Sequence, residues 1–389
     1  MKRIFMDNAS TTKVDKEVIK AMLPIFSENY GNPYSIHRHG REARELLEQS
    51  REGVAEVLHA RNDEIIFTSG GTESDNIAIK GVAYENKNKR GSKGPHIITS
   101  AIEHPAVLET AIHLEKQGFK VKYLPVDEYG VIKIDELLNS ISKNTFLISI
   151  MYANNEIGTI EPVEEIGKIA KENNIVFHTD TVQAIGKIPI NVKKLKIDML
   201  AISAHKIYGP KGVGACYIRK GVKLKPIIHG GGHEKGLRSS THNVPGIVGM
   251  GKACELIKNR MDKDISYLKK LRDNLIFNIL KIEDSHLNGH PTKRLVNNAN
   301  FHFPGVEGEA LLLSLDEKGV SVSTGSACSS KKLKASHVLT AIGLNPIDAQ
   351  GSIRISLSRE NTEEEIEYVS KVLPEIVEKL RKISPIWKK

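Results

Sequence analysis

Cysteine is scarce in this chain: Cys216, Cys254 and Cys328 are the three in 389 residues. They are too few and too scattered for a disulfide framework or a zinc site. Long apolar runs are missing as well. A stretch such as Phe146 to Ala153 falls far short of the ~20 residues that cross a bilayer, and the opening MKRIFMD lacks a signal-peptide core. The expectation is a soluble, cytoplasmic protein with no membrane partner. Two phosphate-binding signatures are absent, GxxxxGK followed by Ser or Thr and GxGxxG, which argues against a nucleotide-binding oxidoreductase. There is no internal repeat and no low-complexity linker.

What is present is ordinary globular material, 40% hydrophobic and 26% charged. The net charge of +9 could suggest an acidic partner. The lysines, however, are interleaved with acids, as in KKLRDNL and EIVEKLRKI, and read as solvated helix faces. No direct nucleic-acid partner is expected.

Short apolar runs alternate with helical patterns through the first 220 or so residues: Glu64–Thr68, His96–Ser100, Val121–Leu124, Phe146–Met151, Ile175–Thr179, Met199–Ser203 and Ala215–Ile218. Between them lie helices such as Pro162–Asn173, with Val163, Ile166 and Ala170 at helical spacing. That alternation predicts an α/β fold with a mainly parallel sheet covered on both faces. After HGGGHEKG (229–236) the character changes. A long amphipathic helix carries Ile265, Leu268, Leu271, Leu275 and Leu280, an alternating strand runs over Ser352–Ser358, and a final helix is interrupted by Pro374. A large domain over 15–258 and a smaller α+β domain over 1–14 and 259–389 are expected.

Polar residues fall where ligands bind in such sheets, beyond the carboxyl ends of the strands. Successive ends carry Ser69-Gly70-Gly71-Thr72-Glu73-Ser74, Glu103-His104, Asn154-Asn155-Glu156, Asp180-Thr181-Val182-Gln183 and His205-Lys206. Five segments converge on one crevice. The glycine turn before a helix suits an anion, although such turns also start helices with no ligand. Asp180 reads either as a cap or turn residue or as a buried carboxylate in need of a cation, which a protonated pyridine would supply. Lys206 beside Ser203 and His205 is a candidate amine nucleophile, because burial and positive neighbours lower an amine's pKa. Anion turn, aspartate and lysine together are the parts that hold pyridoxal phosphate.

At these residues the chain resembles the NifS/IscS-type cysteine desulfurases, which are fold-type I (class-V) pyridoxal-phosphate enzymes. The matching pieces run in order from DNASTT at Asp7–Thr12 through FTSGGTESDNIAIKG, TSAIEHPAVL, NNEIGT, HTDTVQAIGK, SAHKIYGPKGVG, GGGHEKGLRSST and STGSACSS to SIRISLS. The resemblance implies a large domain built on a mainly parallel seven-stranded sheet plus the smaller α+β domain. It implies a homodimer that converts L-cysteine to L-alanine, leaves a persulfide on Cys328, and passes sulfur to an iron–sulfur scaffold protein or another acceptor.

Carried over by position, Lys206 would bond the cofactor, while Gly71, Thr72, Ser203 and His205 would hold its phosphate, helped by Thr241 of the neighbouring subunit. His104 would stack on the ring and move protons. Asp180 would pair with the ring nitrogen, with Gln183 and Asn155 near the ring's 3-oxygen. Arg354, with Asn155, would clamp the substrate carboxylate, and Cys328 would accept sulfur. A guanidinium on a strand's polar face suits a bidentate carboxylate. Small residues around Cys328, and Lys331, Lys332 and Lys334 after it, favour an exposed thiolate. Cys216 and Cys254 sit in apolar patterns and read as core. Gly71 stands where relatives often carry Ala, a departure that is expected to be harmless. The rival readings are a selenocysteine lyase or another pyridoxal-phosphate lyase or aminotransferase, and a non-catalytic scaffold on the same fold.

Overall fold

The computed structural model describes residues 3–87, 94–324 and 335–387. Ile4–Phe5 (β1) opens the chain. The main sheet comprises Ile65–Thr68 (β2), His96–Ser100 (β3), Lys120–Leu124 (β4), Thr145–Ser149 (β5), Val176–Asp180 (β6), Met199–Ser203 (β7) and Gly214–Ile218 (β8), in the spatial order β2-β8-β7-β6-β5-β3-β4. The β3–β4, β3–β5, β5–β6 and β6–β7 pairs are parallel, and β8 runs antiparallel to both its neighbours. Strands covered on both faces need apolar residues on both, and every residue of β2, β5, β7 and β8 is buried. The expected runs and the observed strands agree to within two residues at each end.

The helices are Lys16–Ser27 (α1), Arg38–Leu58 (α2), Gly71–Asn86 (α3), Pro105–Glu115 (α4), Ile134–Ser140 (α5), Val163–Glu172 (α6), Val244–Ile279 (α7), Gly308–Glu317 (α8), His337–Ala341 (α9), Pro346–Gln350 (α10) and Glu363–Ile383 (α11). A second sheet, His286–Asn288 (β9), Asn298–His302 (β10) and Ser352–Ser356 (β12), has the order β12-β10-β9 and is antiparallel. Val320–Ser321 (β11) pairs in parallel with β1.

Two helices bear on the sequence expectation. Helix α11 continues past Pro374. The lost hydrogen bond is offset by burial of Val369, Val372, Leu373, Ile376 and Val377 along one side. Helix α7 has 36 residues, so the expected division at 258–259 falls inside a continuous helix. Its first half packs into the core under the main sheet through Ile247, Met250 and Ile257, and its second half packs into the core of the smaller sheet through Leu268, Leu271 and Leu275. Leu280, expected on that apolar side, is exposed just past the helix end. Among the described residues no helix is long and apolar enough to cross a membrane.

Candidate active site

The carboxyl ends of the parallel strands open into one cavity of about 610 Å³, in the size range of a small-molecule site. Its lining includes Gly71 and Thr72 at the start of α3, His104 before α4, Asn155 after β5, Asp180 at the end of β6, Gln183, Ser203 at the end of β7, His205 and Lys206, and Arg354 from β12. These are the residues singled out by sequence, apart from two. Thr241 is exposed and does not line this cavity. Cys328 lies outside the described residues.

Local rules explain the placement. Gly70 precedes α3 with φ 156°, a value that side chains disfavour. A Cβ on Gly71 would meet Val182 Cγ2 at 2.7 Å, so alanine there fits only if Val182 moves. His104 is the N-cap of α4: its Nδ1 accepts from the Ala106 N–H at 3.1 Å, which leaves the proton of the neutral ring on Nε2. Burial lowers the His104 pKa, so the ring is neutral at physiological pH. Asp180 accepts from the Val182 N–H at 2.8 Å. Burial raises its pKa, while His104, that N–H and Lys206 pull it back down. Burial and the neighbouring Lys206 lower His205 to about 4.

The stretch Asp7–Thr12 bears on the site more heavily than its motif suggested. Lys206 Nζ donates to the Ala9 carbonyl and, at 2.8 Å, to the Ser10 carbonyl. Gln183 Nε2 donates to the Ala9 carbonyl at 2.9 Å, and His205 Nδ1 lies 3.1 Å from Thr11 Oγ1. Arg354, 4% exposed, is held at both ends. Nη1 donates to the Asn155 carbonyl at 3.0 Å, and Nη2 donates to Asp7 Oδ1 and Ser10 Oγ, each at 2.8 Å. Two residues past Lys206, Tyr208 sits in the left-handed region with φ 64°, a conformation costing on the order of 1–3 kcal/mol. Its N–H donates to Thr12 Oγ1 at 2.8 Å, its carbonyl accepts from the Asp15 N–H at 2.9 Å, and the Arg359 guanidinium stacks 3.9 Å over its ring. No period or cap signal in the sequence marks Ala9 and Ser10 as partners of Lys206, or Asp7 as a partner of Arg354.

The donor set suits pyridoxal phosphate. The start of α3 with Thr72, Ser203 and His205 offers hydrogen-bond donors to a phosphate, and Asp180 is a buried acceptor matched to a pyridinium N–H. The Lys206 amine faces the same space.

The aminotransferase class-V profile matches residues 4–369. The chain belongs to that family. It is 57% identical over 388 residues to the cysteine desulfurase IscS of Methanosarcina thermophila, covering 100% of this chain and 95% of that one. Among solved structures it is similar to a NifS-like protein, with TM-score 0.90, 45% identity, and 97% of this chain and 99% of that one covered. It is also similar to SspA in complex with cysteine, with TM-score 0.81, 38% identity, and 92% of this chain and 100% of that one covered. As in the rest of its family, the cofactor is pyridoxal 5′-phosphate, on the fold-type I architecture.

Proposed function

We propose that this cavity is the active site of a cysteine desulfurase that turns L-cysteine into L-alanine and hands the sulfur to Cys328. One observation carries the reading: Lys206, Asp180, His104 and Arg354, from four separate segments, line a single cavity at the ends of the parallel strands.

When bound, the cofactor supplies an electron sink for the substrate's Cα. The chain does the rest. Gly71, Thr72, Ser203 and His205 would hold the phosphate, and Asp180 would keep the ring nitrogen protonated. Gln183 and Asn155 would help to hold the ring. Lys206 would hold the cofactor, and its amine would move the substrate's Cα proton. His104 presents its Nε2–H to the cavity and works as a proton carrier. The Arg354 guanidinium, already aimed by Asp7, Ser10 and the Asn155 carbonyl, orients the substrate carboxylate.

In the transfer step the Cys328 thiolate attacks the substrate sulfur. An S–S bond forms, the C–S bond breaks with its electron pair left on carbon, and that carbon takes up a proton to give alanine. The persulfide then passes its outer sulfur to an acceptor such as an iron–sulfur scaffold protein. The free, buried thiols of Cys216 and Cys254 suit a reducing cytoplasm.

The working unit is a pair of identical chains. Ile19, Leu23, Phe26, Tyr30, Tyr34 and Ile36, on and just after α1, are large apolar side chains left 45% to 89% exposed, a patch that a second copy would cover. Thr241 then serves the partner's phosphate. The test of the whole reading is Cys328→Ser. It should load cofactor as the wild type does, yet release only traces of alanine, and mass spectrometry of cysteine-treated wild type should place one extra sulfur on the Cys328 peptide. Alanine and sulfide formed at near wild-type rate by Cys328→Ser would instead indicate a lyase that needs no carrier thiol.

A further inference from the structure

The floor of the cavity holds more acid than its chemistry uses. Asp75, on α3, lines the cavity and is 1% exposed. Strand periodicity places His178 on the same face of β6 as Asp180, two residues on, and His178 is fully buried. His178 Nδ1 lies 2.9 Å from Ser149 Oγ on β5. Its Nε2 lies 3.4 Å from Asp75 Oδ1, and neither of those two buried atoms has a hydrogen-bond partner among the described residues. Two buried polar atoms with only each other for company must share a proton, since leaving either alone costs its full desolvation.

The remaining question is which charge state they take. A charged pair would put a cation and an anion in a dry interior, where desolvation outweighs their attraction unless the geometry is very good. The ionisable groups acting on Asp75 add no cation: Asp180 from β6 and Glu103 from the turn after β3 both disfavour its charge, and the neighbouring Cys216 thiol of β8 is buried and protonated. Burial drives Asp75 well above and His178 down to about 3, so both directions favour the neutral forms. Burial raises Asp180 as well, but there the Val182 N–H and Lys206 act toward the charged form.

We propose that Asp75 is a positioning residue held protonated by donating its carboxyl hydrogen to Nε2 of a neutral His178, so that Asp180 is the anion the ring nitrogen meets. In this arrangement His178 carries its own hydrogen on Nδ1 and donates it to Ser149 Oγ. The inference rests on the assignment of Asp180 to the ring nitrogen. A charged Asp75 would compete with the ring nitrogen for the role of Asp180, and a charged His178 would cancel it.

The experiment is infrared difference spectroscopy of wild type against Asp75→Asn, with and without pyridoxal phosphate, combined with pH titration of the visible band of the loaded protein. The expected result is loss of a protonated-carboxyl band in the variant and a visible-band midpoint within a few tenths of a unit of wild type, since a neutral group replaces a neutral group. Loss of a carboxylate band, with a midpoint lowered by about one unit or more as a nearby anion disappears, would overturn the proposal. Should Asp75→Asn not fold, nitrogen NMR of histidine-labelled wild type decides. A His178 ring protonated on Nδ1 alone, and unchanged between about pH 6 and 9, supports the neutral pair, and a doubly protonated ring refutes it. Wild type that takes up no cofactor would sink the active-site reading instead, while the infrared comparison of the unloaded proteins would still report on Asp75.

Discussion

At the scale of single residues, burial sets charge. Glu103 is buried, its Oε1 accepting from Ser100 Oγ at 2.6 Å and the Met151 N–H at 2.9 Å, and burial pushes its pKa to about 8. An unfolded chain releases that proton near the ordinary carboxylate value, so the folded protein is the better proton binder between the two values. The stability Glu103 contributes is therefore whole in acid and lost as pH rises toward 8. Thermal melts of the unloaded protein should show wild type falling behind Glu103→Gln as pH goes from about 5 to 8, by up to a few kcal/mol; parallel curves would refute this. Asp7 acts through geometry instead. Because it aims the Arg354 guanidinium at 2.8 Å, Asp7→Ala should raise KM for cysteine on the order of tenfold with a smaller change in kcat. A lower KM would mean that Asp7 competes with the substrate carboxylate.

At the scale of elements, the start of α3 and the turn after β6 are fitted to each other. The missing side chain at Gly71 leaves room for Val182, whose Cγ2 would stand 2.7 Å from a new Cβ. Gly71→Ala should cost about 1–3 kcal/mol as an overpacked contact and loosen the cofactor, and adding Val182→Ala should recover most of both. Denaturant melts and cofactor retention on a desalting column report the two effects. A single variant as stable as wild type would show that the turn shifts freely.

At the scale of the molecule, α7 joins the two cores and α1 carries the exposed apolar patch. If a second copy covers that patch, Leu23→Glu combined with Phe26→Glu should give a monomer by light scattering. Each Glu would have to be buried against apolar surface, at a cost far above that of leaving it in water. The monomer should also lose cofactor faster, because Thr241 would no longer reach a neighbouring phosphate. A double variant that remains dimeric and retains cofactor would place the interface elsewhere.

The sequence alone was enough for whatever depends on local period and local chemistry. The strands from β2 to β8 were legible because apolar runs of four to six residues can be read without knowing their neighbours, and the polar residues after Thr68, Ser149, Asp180 and Ser203 marked one end of one sheet. Lys206, Asp180, His104 and Arg354 could be singled out on those grounds together with the ordered motifs of the family. Folding alone decided what those residues meet. Ala9 and Ser10 reach Lys206 across 197 and 196 positions of chain, and no spacing rule spans that distance. The same holds for charge. Asp75 and His178 are an unremarkable helix aspartate and strand histidine until the fold buries both, and Pro374 interrupts a helix only until packing on its apolar side outweighs one missing hydrogen bond. Local propensity is a property of neighbours in sequence, whereas burial, and with it the protonation of Asp75 and Asp180, is a property of neighbours in space.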